Sequence, residues 1–109
     1  MAVVAELDGD VIGVAYCRLF TEDDHGHGYL DDQTPEAAVA VLEGRRGSGL
    51  GARLMNELAE AAGAAGFSRL SLSVDAENPA RRLYERLAYR EIGTDEQGVR
   101  MILQLVPSR

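Results

Sequence analysis

Val39-Ala40-Val41-Leu42-Glu43-Gly44-Arg45-Arg46-Gly47-Ser48-Gly49-Leu50-Gly51-Ala52 is the stretch on which the fold of this 109-residue chain turns. A short apolar run, Ala37 to Leu42, reads as a strand and gives way to a turn rich in Gly and Arg, Glu43 to Ser48. A helix begins at Gly49: Leu50, Leu54, Leu58, Ala62 and Ala65 recur at helical spacing, and Gly66 stands where a C′ glycine belongs. The first backbone N–H groups of a helix have no partner inside it, and the dipole adds partial positive charge there. Glycines let a ligand come close to that backbone. Strand, glycine turn and helix start together make an anion site suited to a pyrophosphate, with Arg45 and Arg46 adding charge at its mouth.

Working outward, Phe67 to Val74 reads as a strand in which Leu70, Leu72 and Val74 alternate with Ser71 and Ser73. Asn78-Pro79 starts a second helix, Asn as the cap and Pro at the first helical position, with Ala80, Leu83 and Leu87 as its buried stripe. Tyr89–Ile92 and Val99–Val106 form a final strand pair around Asp95-Glu96-Gln97-Gly98. In front of the central strand, Val3–Leu7 and Val11–Phe20 flank Asp8-Gly9-Asp10, a hairpin signal. Thr21–Pro35 is polar and reads as a loop. The order is β-β-β-α-β-α-β-β. Strand, helix, strand requires a parallel crossover, and the hairpins at either end require antiparallel pairs. The expectation is an α/β (α+β) domain with a mixed sheet flanked by helices. Without a repeat or linker, residues 1–109 read as one domain.

Composition narrows the function. The 11 basic residues are all Arg against 18 acids, a net charge of −7. A chain without Lys has neither a P-loop nor a Schiff base. Acidity argues against nucleic acid as a partner. No run approaches the roughly 20 apolar residues of a membrane span, and the start has no signal-peptide pattern. One cysteine, Cys17, forms no internal disulfide and reads as a small buried hydrophobe, so a reducing, cytoplasmic location is expected.

Two families use such a glycine loop. Gly47-Ser48-Gly49-Leu50-Gly51-Ala52 matches G-x-G-x-x-A, the dinucleotide fingerprint, and Asp75 follows the next strand. There the glycines come directly off the strand, whereas here Glu43, Gly44, Arg45 and Arg46 intervene. The better fit is Arg46-x-x-Gly49-x-Gly51, which resembles the R/Q-x-x-G-x-G/A signature of GCN5-related N-acetyltransferases, the GNAT superfamily. Asn78-Pro79-Ala80-Arg81-Arg82-Leu83-Tyr84-Glu85-Arg86-Leu87-Ala88-Tyr89 resembles its N-x-x-A-x-x-L-Y-E-x-x-G-F element, with Ala88 in place of Gly and Tyr89 in place of Phe. The strand order agrees, so the resemblance spans essentially the whole chain.

That resemblance implies an acyl-CoA N-acyltransferase-like fold and acetyl-CoA as co-substrate, lying between the central strand and the next parallel one. Val39 and Val41 would pair through their backbones with the pantetheine arm. The N–H groups of Arg46, Gly47, Ser48, Gly49, Leu50, Gly51 and Ala52 would hold the pyrophosphate. Asn78 would contact the pantetheine or thiol end, and Arg81 or Arg82 the nucleotide end. Tyr84 matches the family's general acid, which protonates the departing thiolate. Glu36, at the entry to the central strand, stands where some members carry a base; a solvated acid beside Pro35 is the plainer reading, and an ordered water serves other members.

The acceptor is an amine of open identity, and Glu22, Asp23, Asp24, Asp31 and Asp32 in the preceding loop would attract a cation there, or form a solvated loop. His25 and His27 read as surface residues, with no metal site. A non-catalytic acyl-CoA-binding module and a nucleotide-binding oxidoreductase fragment stand as alternatives. Family members begin with a strand and two helices before the first hairpin, which here starts at Val3. A lost start, a covering second subunit and a binding module without catalysis would each account for that. An uncovered sheet face is an apolar patch, so a homodimer is expected.

Overall fold

The computed structural model describes residues 1–20, 23, 29–45 and 47–106. Strands β1 (Ala2–Leu7) and β2 (Asp10–Arg18) form the first hairpin. Asp8 and Gly9 both take positive φ, 52° and 87°, the type I′ turn that suits the twist of a two-residue hairpin. Strand β3 (Glu36–Val41) leads through one 3-10 turn, Glu43–Arg45, to helix α1 (Leu50–Ala64). Strand β4 (Arg69–Val74), helix α2 (Ala80–Arg86) and strands β5 (Arg90–Asp95) and β6 (Gly98–Gln104) complete the chain.

The six strands form one sheet in the order β1-β2-β3-β4-β6-β5. Every neighbouring pair is antiparallel except β3 with β4, the pair joined through α1. The mixed sheet flanked by helices is the architecture expected from the sequence. Strand ends shift by one to three residues: β4 starts at Arg69 rather than Phe67, and β5 runs Arg90–Asp95 rather than Tyr89–Ile92. Apolar runs overshoot strands, because a residue that packs against the core need not share in the backbone ladder.

One sheet face carries the core. Ala15 and Cys17 of β2, Ala37 of β3, Leu70, Leu72 and Val74 of β4 and Val99 and Met101 of β6 are buried there against Leu54, Met55, Leu58 and Ala62 of α1. Each fully buried Leu or Met contributes about 1.5–3 kcal/mol. Helix and sheet lie close: a Cβ at Gly13 would stand 2.9 Å from Leu54 Cδ1. Ala65, expected in the stripe, is instead the exposed C-cap, and Met55 takes the place in the core.

The helix ends locally as its sequence requires. Gly66 has φ 98°, its N–H donates to Gly63 C=O (3.0 Å), and Phe67 N–H donates to Ala62 C=O (3.1 Å), a Schellman motif. Helix α2 ends the same way, with Ala88 N–H to Glu85 C=O (3.1 Å) and Tyr89 N–H to Tyr84 C=O (3.0 Å). There the left-handed residue is Ala88, φ 75°, not glycine.

Candidate active site

The site begins where two strands part. β3 stays in register with β2 from Gly13↔Val41 to Arg18↔Glu36. Among the described residues it pairs with β4 only at Glu36↔Ser71, where Ser71 N–H donates to Pro35 C=O at 3.0 Å. Hydrogen bonding in an antiparallel ladder alternates along the strand. Leu42 N–H donates to Ile12 C=O at 2.8 Å, so the ladder's phase turns Ala38 and Ala40 toward β2. Val39 and Val41 therefore turn their N–H and C=O groups toward the gap left by β4. A strand edge inside a sheet is left unpaired, and an extended amide-bearing ligand matches it.

The gap leads to the start of α1. Gly47 and Gly49 have φ 80° and 83°, and a Cβ on either would meet nothing within 4 Å, so conformation rather than space selects glycine. The Ser48 hydroxyl donates back to Arg45 C=O at 2.6 Å, which braces the turn. The first intrahelical bond runs from Arg53 N–H to Gly49 C=O at 3.2 Å. The N–H groups of Leu50, Gly51 and Ala52 thus have no acceptor in the helix, and no side chain caps them. Gly51 faces inward: a Cβ there would lie 3.6 Å from Leu83 Cδ2 and 3.8 Å from Val41 Cγ2. That contact ties α1, α2 and the end of β3 together, and it accommodates a methyl group, the Gly-or-Ala choice of the motif. Arg46 lies outside the described residues.

α2 supplies the other wall. The helix's N-cap position falls at Pro79, one residue later than expected and without a side-chain cap bond, while Asn78 Oδ1 accepts the N–H of Ala80 at 2.9 Å and its amide NH2 makes no hydrogen bond among the described residues. Pro79 stands just before the helix, whose first residue is Ala80. Asn78, Glu77, Arg82 and Glu85 help line a surface cavity of about 470 Å³. Arg81 is held by Glu91 (3.0 Å) and Glu85 (3.8 Å), which leaves Arg82 as the neighbour without an ion pair among the described residues. Tyr84 is 8% exposed and tilted against Tyr89, with ring centroids 5.7 Å apart. Burial pushes the Tyr84 phenol above its ordinary value, so it holds its proton. Cys17 is buried, and burial raises its thiol too, which gives it no nucleophile's character.

On the opposite sheet face, Glu36 Oε1 and Ser71 Oγ are buried without a hydrogen-bond partner among the described residues. Sequence reasoning singled out Glu36 and missed Ser71. The alternation of Ser71 and Ser73 with leucines was the available signal. In the preceding loop Asp31 meets Arg69 at 2.7 Å, tying the segment to β4. Asp32 accepts a hydrogen bond from the Tyr29 hydroxyl, and Asp23 is exposed. Glu22, Asp24, His25 and His27 lie outside the described residues, among which no three His, Cys, Asp or Glu side chains gather for a metal.

The acetyltransferase (GNAT) family matches residues 1–89. This chain belongs to that family. The GNAT fold recurs in three solved structures. Ribosomal-protein-alanine N-acetyltransferase from Brucella melitensis is 27% identical, with a TM-score of 0.80, covering 95% of this chain and 68% of that one. The Salmonella typhimurium protein yncA, solved with its cofactor acetyl-CoA, is 23% identical, with a TM-score of 0.81, covering 99% and 65%. An N-acetyltransferase from Staphylococcus aureus Mu50 is 22% identical, with a TM-score of 0.74, covering 94% and 66%. This GNAT chain thus spans about two thirds of their length. No protein of curated function matches it.

Proposed function

We propose that this GNAT chain transfers an acetyl group from acetyl-CoA to a primary amine by direct attack in a ternary complex. The observation that carries the reading is the gap between β3 and β4, whose free edge at Val39 and Val41 leads to the uncapped N–H groups of Leu50, Gly51 and Ala52. An amide-bearing arm ending in a pyrophosphate fits that sequence of donors and acceptors. Acetyl-CoA, when bound, supplies a thioester carbonyl and a thiol leaving group. Val39 and Val41 would hold the arm, Gly47 through Ala52 with Arg46 the pyrophosphate, and Asn78 the arm through its free amide NH2.

The acceptor nitrogen forms the new N–C bond as the C–S bond breaks. The ammonium first gives one proton to Glu36 or water; Tyr84 then gives its proton to the departing sulfur, and the second proton shed by the acetylated nitrogen restores the Tyr84 phenol. Cys17, buried with a raised thiol, supports direct attack over an acyl-enzyme. The proposal takes residues 1–109 as one catalytic domain, acting as a homodimer in the reducing cytoplasm.

Calorimetric titration with acetyl-CoA, beside an Arg46→Glu control, tests the reading. Saturable binding that the control weakens about tenfold or more supports it. A folded sample that binds no acetyl-CoA overturns it. An amine screen then separates an enzyme from a binding module.

A further inference from the structure

On the sheet face opposite α1, three polar groups are buried without partners among the described residues, one on each of three neighbouring strands. Glu36 on β3 is half-buried, its Oε1 is shielded, and its carboxylate makes no hydrogen bond or ion pair among the described residues. Arg18 is its cross-strand neighbour, but the Arg18 guanidinium lies over the Phe20 ring at 4.9 Å. Ser71 on β4, 1% exposed, is the parallel partner of Glu36, and its Oγ has no partner. Arg100 on β6 faces Ser73 in the ladder and is half-buried. Its Nε is shielded, and its guanidinium makes no ion pair among the described residues. It leans over β5, where Nη2 lies 3.7 Å from the Cβ position of Gly93.

Half-buried charges without partners are costly. These two have opposite sign, yet β4 separates their strands. Two strand spacings across the sheet and two residues along it put their Cα atoms about 12 Å apart, too far for the charges to neutralise each other directly. A ligand carrying both charges satisfies both at once, and it would cross the hydroxyls of Ser71 and Ser73 on the way.

We propose that this face seats the acceptor, and that the acceptor is an amine bearing a carboxylate about 12 Å from its nitrogen. The ammonium lies beside Glu36 and Ser71, where β3 and β4 part, and the carboxylate lies at Arg100. This rests on the acetyltransferase reading, since the amine then meets the gap from the face opposite α1.

The test uses an amine series: glycine, 4-aminobutyrate, 8-aminooctanoate and 10-aminodecanoate, each beside the amine lacking the carboxylate. The expected kcat/KM advantage of the carboxylate is about tenfold or more (about 1.4 kcal/mol) for the two longer members and absent for glycine. In Arg100→Gln the advantage falls to about one, and Arg100→Lys keeps part of it. An advantage near one at every length overturns the proposal, as does an unchanged advantage in Arg100→Gln.

A second arm needs no transfer. Without acetyl-CoA, 10-aminodecanoate but not nonylamine is expected to shift the backbone NMR signals of Ser71 and Arg100 saturably. Absence of such shifts, or shifts that follow protein concentration instead, overturns the acceptor seat. Loss of acetyl-CoA binding with these shifts intact would instead remove the acetyltransferase reading.

Discussion

Two tyrosines five residues apart carry opposite expectations. Tyr84 is the proposed proton donor, and burial raises its phenol. The donor form therefore persists through neutral pH, and any loss of kcat from its ionisation falls above about pH 10. Tyr84→Phe is expected to lower kcat by about 10²–10⁴ while leaving acetyl-CoA affinity within about twofold, read by steady-state kinetics beside calorimetry. Tyr89, 3% exposed, buries a hydroxyl without a partner, and Phe is the residue the family element calls for. Tyr89→Phe removes an unsatisfied group, so the unfolding free energy should rise by about 1 kcal/mol or more, read as a higher urea midpoint at unchanged slope. Burial, with the neighbouring Tyr84 and Cys17, also raises the Tyr89 phenol. The unfolded chain loses that proton near pH ~10, whereas the fold retains it. This stabilisation is whole below that pH and is lost as pH rises beyond it. Alkali should therefore destabilise the parent more steeply than Tyr89→Phe.

Helix ends show how far a sequence can be read locally. Gly66 acts as its type predicts and Asn78 bonds the first helical N–H, though the cap position itself falls one residue later at Pro79, because such end motifs depend on a few adjacent residues. Ala88 was legible only as a substitution for glycine; its φ of 75° gives that substitution a cost. Ala88→Gly relieves the left-handed strain and should stabilise the protein by about 1 kcal/mol, measurable by thermal or urea unfolding. Strand ends were less legible. Phe67 and Tyr89 have strand character but lie outside the ladder, and nothing local distinguishes a packed aromatic from a paired one. Ser71 was passed over because a serine in a strand becomes informative only when its neighbours fail to bond it.

At the scale of the molecule, α1 covers one sheet face, while Val4 and Tyr16 on the other are 49% and 44% exposed. An exposed apolar sheet face supports the proposed homodimer. Light scattering at micromolar concentration should give about twice the chain's mass, and Val4→Glu with Tyr16→Glu should return the monomer with its circular dichroism unchanged. A parent that is monomeric there counts against the dimer.

The order of elements, the glycine turn between strand and helix, the Asn-Pro start of the second helix and the family they resemble are all local readings of the chain. Each of these depends on residues within a few positions of one another. Only the tertiary structure decided that β6 inserts between β4 and β5, and that β3 and β4 part after a single pair. It also set Glu36, Ser71 and Arg100 on one face. Those relations join residues 25 to 64 positions apart, and they depend on which strand edge finds its partner when the core closes.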